Sequence, residues 1–327
     1  MAPLSRTWLL LALLCLSSLL EANSENMWSL ISQRDLGKIN PSAVLHSYSF
    51  KNGTEEQVEI NALFFQEKDF SLIVMDHPLQ NKSLLEAIEE ASCIAGVNGG
   101  YFQLDGTPLG LLVHRGKTIH PLQHAGILSG LFVNTPHGMS LLRVGEAIPT
   151  DATEVLQAGP FLFDHGHPVI GLESTKKAYR TFLATNGQGL WMMGVISPVT
   201  LAEGAQILFT LHTTPIPGLT TKFLTRALNL DGGSSSALWA DTKPVPFSFR
   251  TDVCVRDFLG LTRIFHTNHL RKSGSPMDAA LISKSSSGSV YAHSRRQTSS
   301  FALPHQPSRL PRYDQYEISG LKEKKEH

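Results

Sequence analysis

The chain has 327 residues but only three cysteines, and one of them, Cys15, falls within an apolar N-terminal stretch. Cys93 and Cys254 then remain, and neither has a Cys or His at chelating spacing, which excludes a structural zinc knot. Each sits in an apolar run (SCIAGV and DVCVRDF), as core cysteines do. A disulfide between them stays open, because their separation in space decides it. An excess of charge of one sign is also missing: 28 Lys and Arg balance 28 Asp and Glu. Within Glu25–Thr267 there are 17 basic residues against 22 acidic, so the body offers no basic footprint and no nucleic-acid partner is expected. Long hydrophobic runs are lacking too. None reaches the ~20 residues that cross a bilayer, so no stable membrane insertion is expected. No fixed-period repeat is present.

The N-terminus has the parts of a cleavable export signal. Arg6 supplies the positive end, Trp8–Leu16 (WLLLALLCL) the apolar core, and Ala22-Asn23-Ser24 small residues for cleavage. Residues 1–24 are therefore read as a signal peptide, an uncleaved anchor being the alternative, with a secreted or periplasmic destination. Ala12-Leu13-Leu14 place no small residue just before Cys15, which argues against a lipoprotein. Asn52-Gly-Thr and Asn81-Lys-Ser are glycosylation sequons if the chain enters a eukaryotic secretory pathway.

Short β-branched and aromatic runs at Val44–Phe50, Gln57–Phe65 and Asp69–Asp76 read as strands. Ser83–Ala91 reads as an amphipathic helix, and Cys93–Val97 as a buried strand ending in Asn98-Gly99-Gly100. Short strands alternate with turns from Leu109 to Ile148. Leu156–Leu162, Arg180–Thr185 and Gly189–Ile196 continue them, Pro198-Val199-Thr200 opens a short helix through Gln206, and Ala227–Leu230 leads into Asp231-Gly232-Gly233. The expected fold is a single α/β (α+β) domain over residues 27–265, with a mixed β-sheet, flanking helices and the site at strand C-terminal edges. Residues 268–327 differ. With 12 Ser, 10 basic and 5 acidic residues and no apolar period, they are expected to form a disordered basic tail.

Two turns attract attention. In Asn229-Leu230-Asp231-Gly232-Gly233-Ser234-Ser235-Ser236, an apolar strand delivers a carboxylate, and two glycines then let the backbone turn or approach a ligand closely. The hydroxyls and amides that follow suit an anion, although Asp and Ser are also ordinary helix caps. Val97-Asn98-Gly99-Gly100-Tyr101-Phe102 repeats the pattern with an amide in place of the acid. Tyr101 and Phe102 suit either a sugar face or the core. Gln157-Ala158-Gly159-Pro160 and Arg180-Thr181 each border an apolar run, and arginine binds phosphate in bidentate fashion.

Taken in order, Asn-Gly-Gly-Tyr-Phe, Gly110, Ala-Gly-Pro, Arg-Thr and Asn-Leu-Asp-Gly-Gly-Ser-Ser resemble the phosphodiester glycosidase domain, over roughly Leu72 to Leu261. The sequence departs from that pattern after Arg180-Thr181, where Phe182-Leu183-Ala184 replaces the frequent Ala-Ile-Gly. The Cys-rich extension of the animal enzyme is absent. The resemblance implies hydrolysis of the bond between a sugar anomeric carbon and a phosphodiester oxygen, without a cofactor. It implies Asp231 as the carboxylate, Arg180 as the phosphate's cation and Asn98 as a holder of a sugar hydroxyl or of water. Gly99, Gly100, Tyr101, Thr181, Gly232, Gly233, Ser234 and Ser235 would line the substrate, a phosphodiester-linked sugar or glycan. Asp105 and Glu203 are alternative second carboxylates.

Three other readings compete. A serine hydrolase needs Gly-x-Ser-x-Gly, and Gly232-Gly233-Ser234-Ser235-Ser236 lacks the last glycine. A metal hydrolase would draw on the 14 histidines, but Pro121 breaks a helix carrying His120 and His124, and His165 and His167 sit in a turn-rich segment. No metal site is assigned, although oxygen ligands around Asp231 leave little trace in sequence. The third reading is a non-catalytic glycan or cell-wall binding module on the same fold.

Overall fold

A computed structural model of the chain describes residues 27–215 and 223–264. The leader and the basic tail lie outside these residues. The chain opens with β1 (Ser29–Asn40), β2 (Ala43–Lys51), β3 (Gln57–Gln66) and β4 (Phe70–Asp76), then helix α1 (Leu84–Ala91) and β5 (Ala95–Asn98). A run of short strands follows: β6 (Leu112–His114), β7 (Lys117–His120), β8 (Gly130–Thr135), β9 (Gly138–Arg143), β10 (Glu154–Ala158), β11 (Phe161–Asp164) and β12 (His167–Pro168). Next come β13 (Ala178–Thr185), β14 (Leu190–Val199), α2 (Leu201–Thr213) and β15 (Arg226–Asn229). The last elements are a 3₁₀ turn at Gly233–Ser235, β16 (Leu238–Ala240), β17 (Phe247–Phe249) and β18 (Asp257–Arg263).

The expected mixed sheet with flanking helices is incorrect. The strands form three antiparallel sheets, ordered β1-β2-β3-β14-β13-β15-β11-β12, β7-β6-β10-β8-β9 and β17-β16-β5-β18-β4. The reason is local. A parallel sheet needs a helical crossover after each strand, whereas Asn98-Gly99-Gly100 leads into a bend and Asp231-Gly232-Gly233 into a single 3₁₀ turn. Seven connections are hairpins between consecutive strands, and the described residues contain two α-helices.

Both helices begin at reciprocal capping boxes, Ser83 with Glu86 and Thr200 with Glu203, each worth about 1 kcal/mol to its helix. Pro198 and Val199 stay in β14, so α2 starts later than the sequence suggests and runs on to Thr213. The large sheet is buried on both faces. Along β3, Ile60, Ala62 and Phe64 join Leu208 and Leu211 of α2 in one cluster, while Leu63 and Phe65 turn to the central core. That core also takes Val97 from β5, Phe132 from β8, Leu228 from β15 and Leu259 from β18, so it draws on all three sheets. On the far side of β5 and β18, α1 inserts Leu84, Ala87 and Ile88 against Met75, Cys93 and Phe258. Cys93 is buried and Cys254 exposed, and both are free thiols. No helix among the described residues is long and apolar enough to cross a membrane.

Candidate active site

Asn98 closes β5, a central strand of one sheet, and Asp231 lies two residues beyond β15, a central strand of another. Backbone and side chain tie these ends together. The Asn98 Nδ2 donates to the carbonyl of Asp231 at 2.7 Å, and its Oδ1 accepts from the Thr181 hydroxyl at 2.7 Å and from the Ala237 N–H at 3.1 Å. The Asp231 N–H donates to the Gly99 carbonyl at 3.0 Å, and the Leu230 N–H to the Thr181 carbonyl at 2.8 Å. Asn98 and Thr181 are fully buried, so their polar groups have no water to fall back on.

One glycine of each pair is needed for space. A Cβ on Gly99 would come within 1.9 Å of the Asp257 carboxylate, and one on Gly232 within 2.6 Å of the Tyr179 carbonyl. Gly233 also takes a left-handed φ of +64°, which L side chains resist.

Asp231 is partly buried, with Oδ1 accepting the Gly232 N–H at 2.8 Å. Burial pushes its pKa up to about 6, against the downward pull of Ser235 and of the Gly232 N–H. Asp257, the first residue of β18, lies beneath the other turn. Its Oδ1 accepts from Gly100 at 2.7 Å and its carbonyl from Gly99 at 2.9 Å. Burial pushes it up to about 7, helped by Asp76 and Asp231 and opposed by Gly100 and Arg256. Two carboxyls of raised pKa thus flank Gly99.

A family model described as phosphodiester glycosidase matches residues 91–260, just over half of the chain. The chain belongs to the phosphodiester glycosidase family. Among solved structures it is similar to the zebrafish N-acetylglucosamine-1-phosphodiester alpha-N-acetylglucosaminidase catalytic domain, auto-inhibited by its pro-peptide. Identity is 15%, the TM-score 0.50, and the match covers 70% of this chain and 88% of that one. It is also similar to a hypothetical protein from Synechocystis, at 14% identity and TM-score 0.48, over 71% of this chain and 64% of that one. At such identity the zebrafish structure supports a common fold. No curated protein matches the chain.

The other motif residues separate into framework and rim. The Tyr101 hydroxyl donates to the Gly159 carbonyl at 2.6 Å and accepts from Asn229 at 2.8 Å, which ties the first turn to the Gly159-Pro160 loop. Gln157 is an internal knot: its side chain accepts from Leu111 and Gln123 and donates to the carbonyls of Gln123 and Leu128. A Cβ on Gly110 would meet Gln157 at 2.8 Å, which explains that glycine. Arg180 sends its guanidinium to the carbonyls of Val199 at 2.9 Å and Lys176 at 2.6 Å, with Glu173 at 3.9 Å. Its Cδ still lies 3.9 Å from where a Cβ on Gly232 would stand, so it borders the second turn. Ser234 is exposed. A groove of about 430 Å³ is lined by Pro160, Glu173, Ile127, Phe161, Ile170 and Leu172 among others.

Neither sequence candidate for a second carboxylate is near Asp231 by its bonds. Asp105 closes an exposed turn onto Thr107, and Glu203 caps α2 and meets Lys177. The carboxylate that is bonded to the first turn is instead Asp257. Sequence reasoning also missed Arg250, which donates to the carbonyls of Gly233 at 2.8 Å and Ser234 at 2.9 Å and stacks over Tyr179. No group of three or more His, Cys, Asp or Glu among the described residues is placed to hold a metal ion.

Proposed function

We propose that this chain is an exported hydrolase that cleaves the glycosidic bond of sugar-1-phosphate diesters. Family membership supports the chemistry. The single observation that carries the reading is Asp231: a half-buried carboxyl with a pKa near 6, beside a turn of small residues. Above that pH it is an anion in a poorly solvated corner. It then stabilises the oxocarbenium-like centre or activates water, as glycosidase carboxylates do. The departing group is a phosphomonoester with a second pKa of ~6, so it leaves with little need of an acid. That suits a site in which one carboxylate acts.

Arg180 supplies positive charge for the phosphate beside Gly232, and the amides of Gly233 and Ser234 with the exposed Ser234 hydroxyl receive its oxygens, since the Gly232 and Ser235 N–H groups are bonded within the turn. Of the first turn only Tyr101 is part-exposed and borders the sugar's side, because Gly99 and Gly100 are buried against Asp257. Asn98 serves by position: its bonds hold Asp231 and Thr181 together rather than reaching for a sugar hydroxyl. The groove beyond Pro160 gives the aglycone an apolar surface. Export rests on Arg6, Trp8–Leu16 and Ala22-Asn23-Ser24. The test is release of free sugar from a panel of GlcNAc-1-phosphate diesters by wild type and by Asp231→Ala. Turnover by wild type alone supports the reading. Equal turnover by both removes Asp231 from it. Binding without turnover on every diester means a glycan-binding module.

A further inference from the structure

Asp257 lies outside the sequence motifs named above, yet it holds both glycines of the Asn98 turn. Its carbonyl takes the Gly99 N–H at 2.9 Å and its Oδ1 the Gly100 N–H at 2.7 Å, while the Gly99 carbonyl takes the Asp231 N–H at 3.0 Å. One residue therefore joins the two aspartates, and at 1.9 Å from the carboxylate no side chain fits on it. At 1% exposure Asp257 has almost no water to solvate a charge. The charged and titratable groups around it are few. Arg256 precedes it and meets Asp76 through Nη2 at 2.8 Å, its Nε and Nη1 being buried without a hydrogen-bond partner, and Asp76 is itself the cross-strand partner of Asp257. His77 lies beyond, with Lys82 and Glu90 about it. On the other side stands Asp231.

We propose that Asp257 is a positioning residue for the reaction at Asp231, keeping the Gly99 carbonyl on the Asp231 amide and keeping that corner uncharged while an anionic substrate binds. The physical reason is repulsion. A second negative charge there acts against ionised Asp231 and against the phosphodiester alike. The pair gives up its protons in two coupled steps, and the working form holds one proton. Asp257, at 1% exposure, is the more deeply buried of the two, and burial with the Asp231 charge keeps that proton on it.

The inference rests on the glycosidase reading for its substrate assay only. Asp257→Asn keeps the size and an acceptor for Gly100 but is neutral at every pH, whereas Asp257→Ala removes the acceptor. Wild-type kcat/KM on a GlcNAc-1-phosphate diester is expected to fall above about pH 7, ~tenfold per pH unit, mainly through KM. Asp257→Asn should lose that fall and keep the acid limb. Asp257→Ala should lower kcat at every pH. A fall in Asp257→Asn identical to wild type overturns the proposal. A second arm needs no substrate and no change at Asp257: carboxyl ¹³C NMR of the full chain, in which Asp231→Asn should move the Asp257 midpoint to lower pH. An unmoved midpoint overturns the proposal. If wild type cleaves no diester while the midpoint moves, the glycosidase reading fails and the coupling stands.

Discussion

The two double-glycine turns look like copies in sequence and behave differently in the structure. At Asn98-Gly99-Gly100 every polar group named above is spent on the protein: the amide on Asp231, Thr181 and Ala237, and the two N–H groups on Asp257. At Asp231-Gly232-Gly233 the carboxyl is part-exposed, Ser234 is exposed, and the carbonyls of Gly233 and Ser234 are turned onto Arg250. One turn is framework, and the other keeps the exposure that the proposed ligand contact needs. An amide suits the first, because it donates and accepts at once and stays neutral when buried. An acid suits the second, where partial burial raises its pKa without extinguishing its charge.

Substituting the polar residue of each turn should break the likeness most visibly. Asp231→Ala is expected to lower diester cleavage by about 10²–10⁴-fold, the range for a positioned acid or base, with no loss of stability. Asn98→Ala should do the reverse. It strands the Thr181 hydroxyl, the Asp231 carbonyl and the Ala237 N–H, at about 1–3 kcal/mol for each buried group left unpaired. A urea titration of both variants reads this directly. Similar stability losses in the two would show that the turns share one role. Gly99→Ala should follow Asn98→Ala, because its methyl meets the Asp257 carboxylate, and the pair Gly99→Ala with Asp257→Gly should recover part of the loss.

How much of this is readable in sequence follows from the range of each interaction. The two turns are legible because a strand, a polar residue and a glycine pair are neighbours in the chain. So are α1 and α2, whose capping boxes sit within three residues of themselves. The antiparallel architecture is not legible, because Gly-Gly after an apolar strand fits a parallel α/β crossover equally well. The strand β1 is missed because SLISQRDLGKIN is a largely exposed edge without an apolar period. Asp257 is missed for a different reason. Nothing in Val255-Arg256-Asp257-Phe258 marks it locally, and only the pairing of Phe258 with Asn98 brings it under the glycines. Arg250 likewise reaches the 3₁₀ turn from a residue with φ +47° after β17.

The acids of the two turns also predict how stability depends on pH. An aspartate whose folded pKa lies above the ordinary value contributes stability that is full below about pH 4 and is lost as pH rises through the folded pKa. For Asp231 the loss runs from about pH 4 and is complete near 6, and for Asp257 it is complete near 7. Wild type should therefore weaken between about pH 4 and pH 7 on account of this pair. Asp257→Asn should be less stable than wild type, or equal to it, at pH 5 and should gain on it by pH 8. Thermal midpoints at the two pH values measure the difference, and a constant gap between the proteins would mean that Asp257 does not titrate in that window.

The smallest expected effect belongs to Arg250, and it separates framework from ligand contact within the second turn. By holding the carbonyls of Gly233 and Ser234, Arg250 fixes the direction of the turn that carries the N–H groups of these two residues. If those N–H groups receive phosphate oxygens, Arg250→Gln should raise KM by a few-fold, of the order of one neutral hydrogen bond, with kcat nearly unchanged. Arg180→Gln should raise KM more, because it also removes charge beside Gly232. The order of the two effects is the informative quantity. An Arg250 variant that damages kcat as strongly as Asp231→Ala would mean that the turn orients the carboxylate itself, and that the second turn is as much framework as the first.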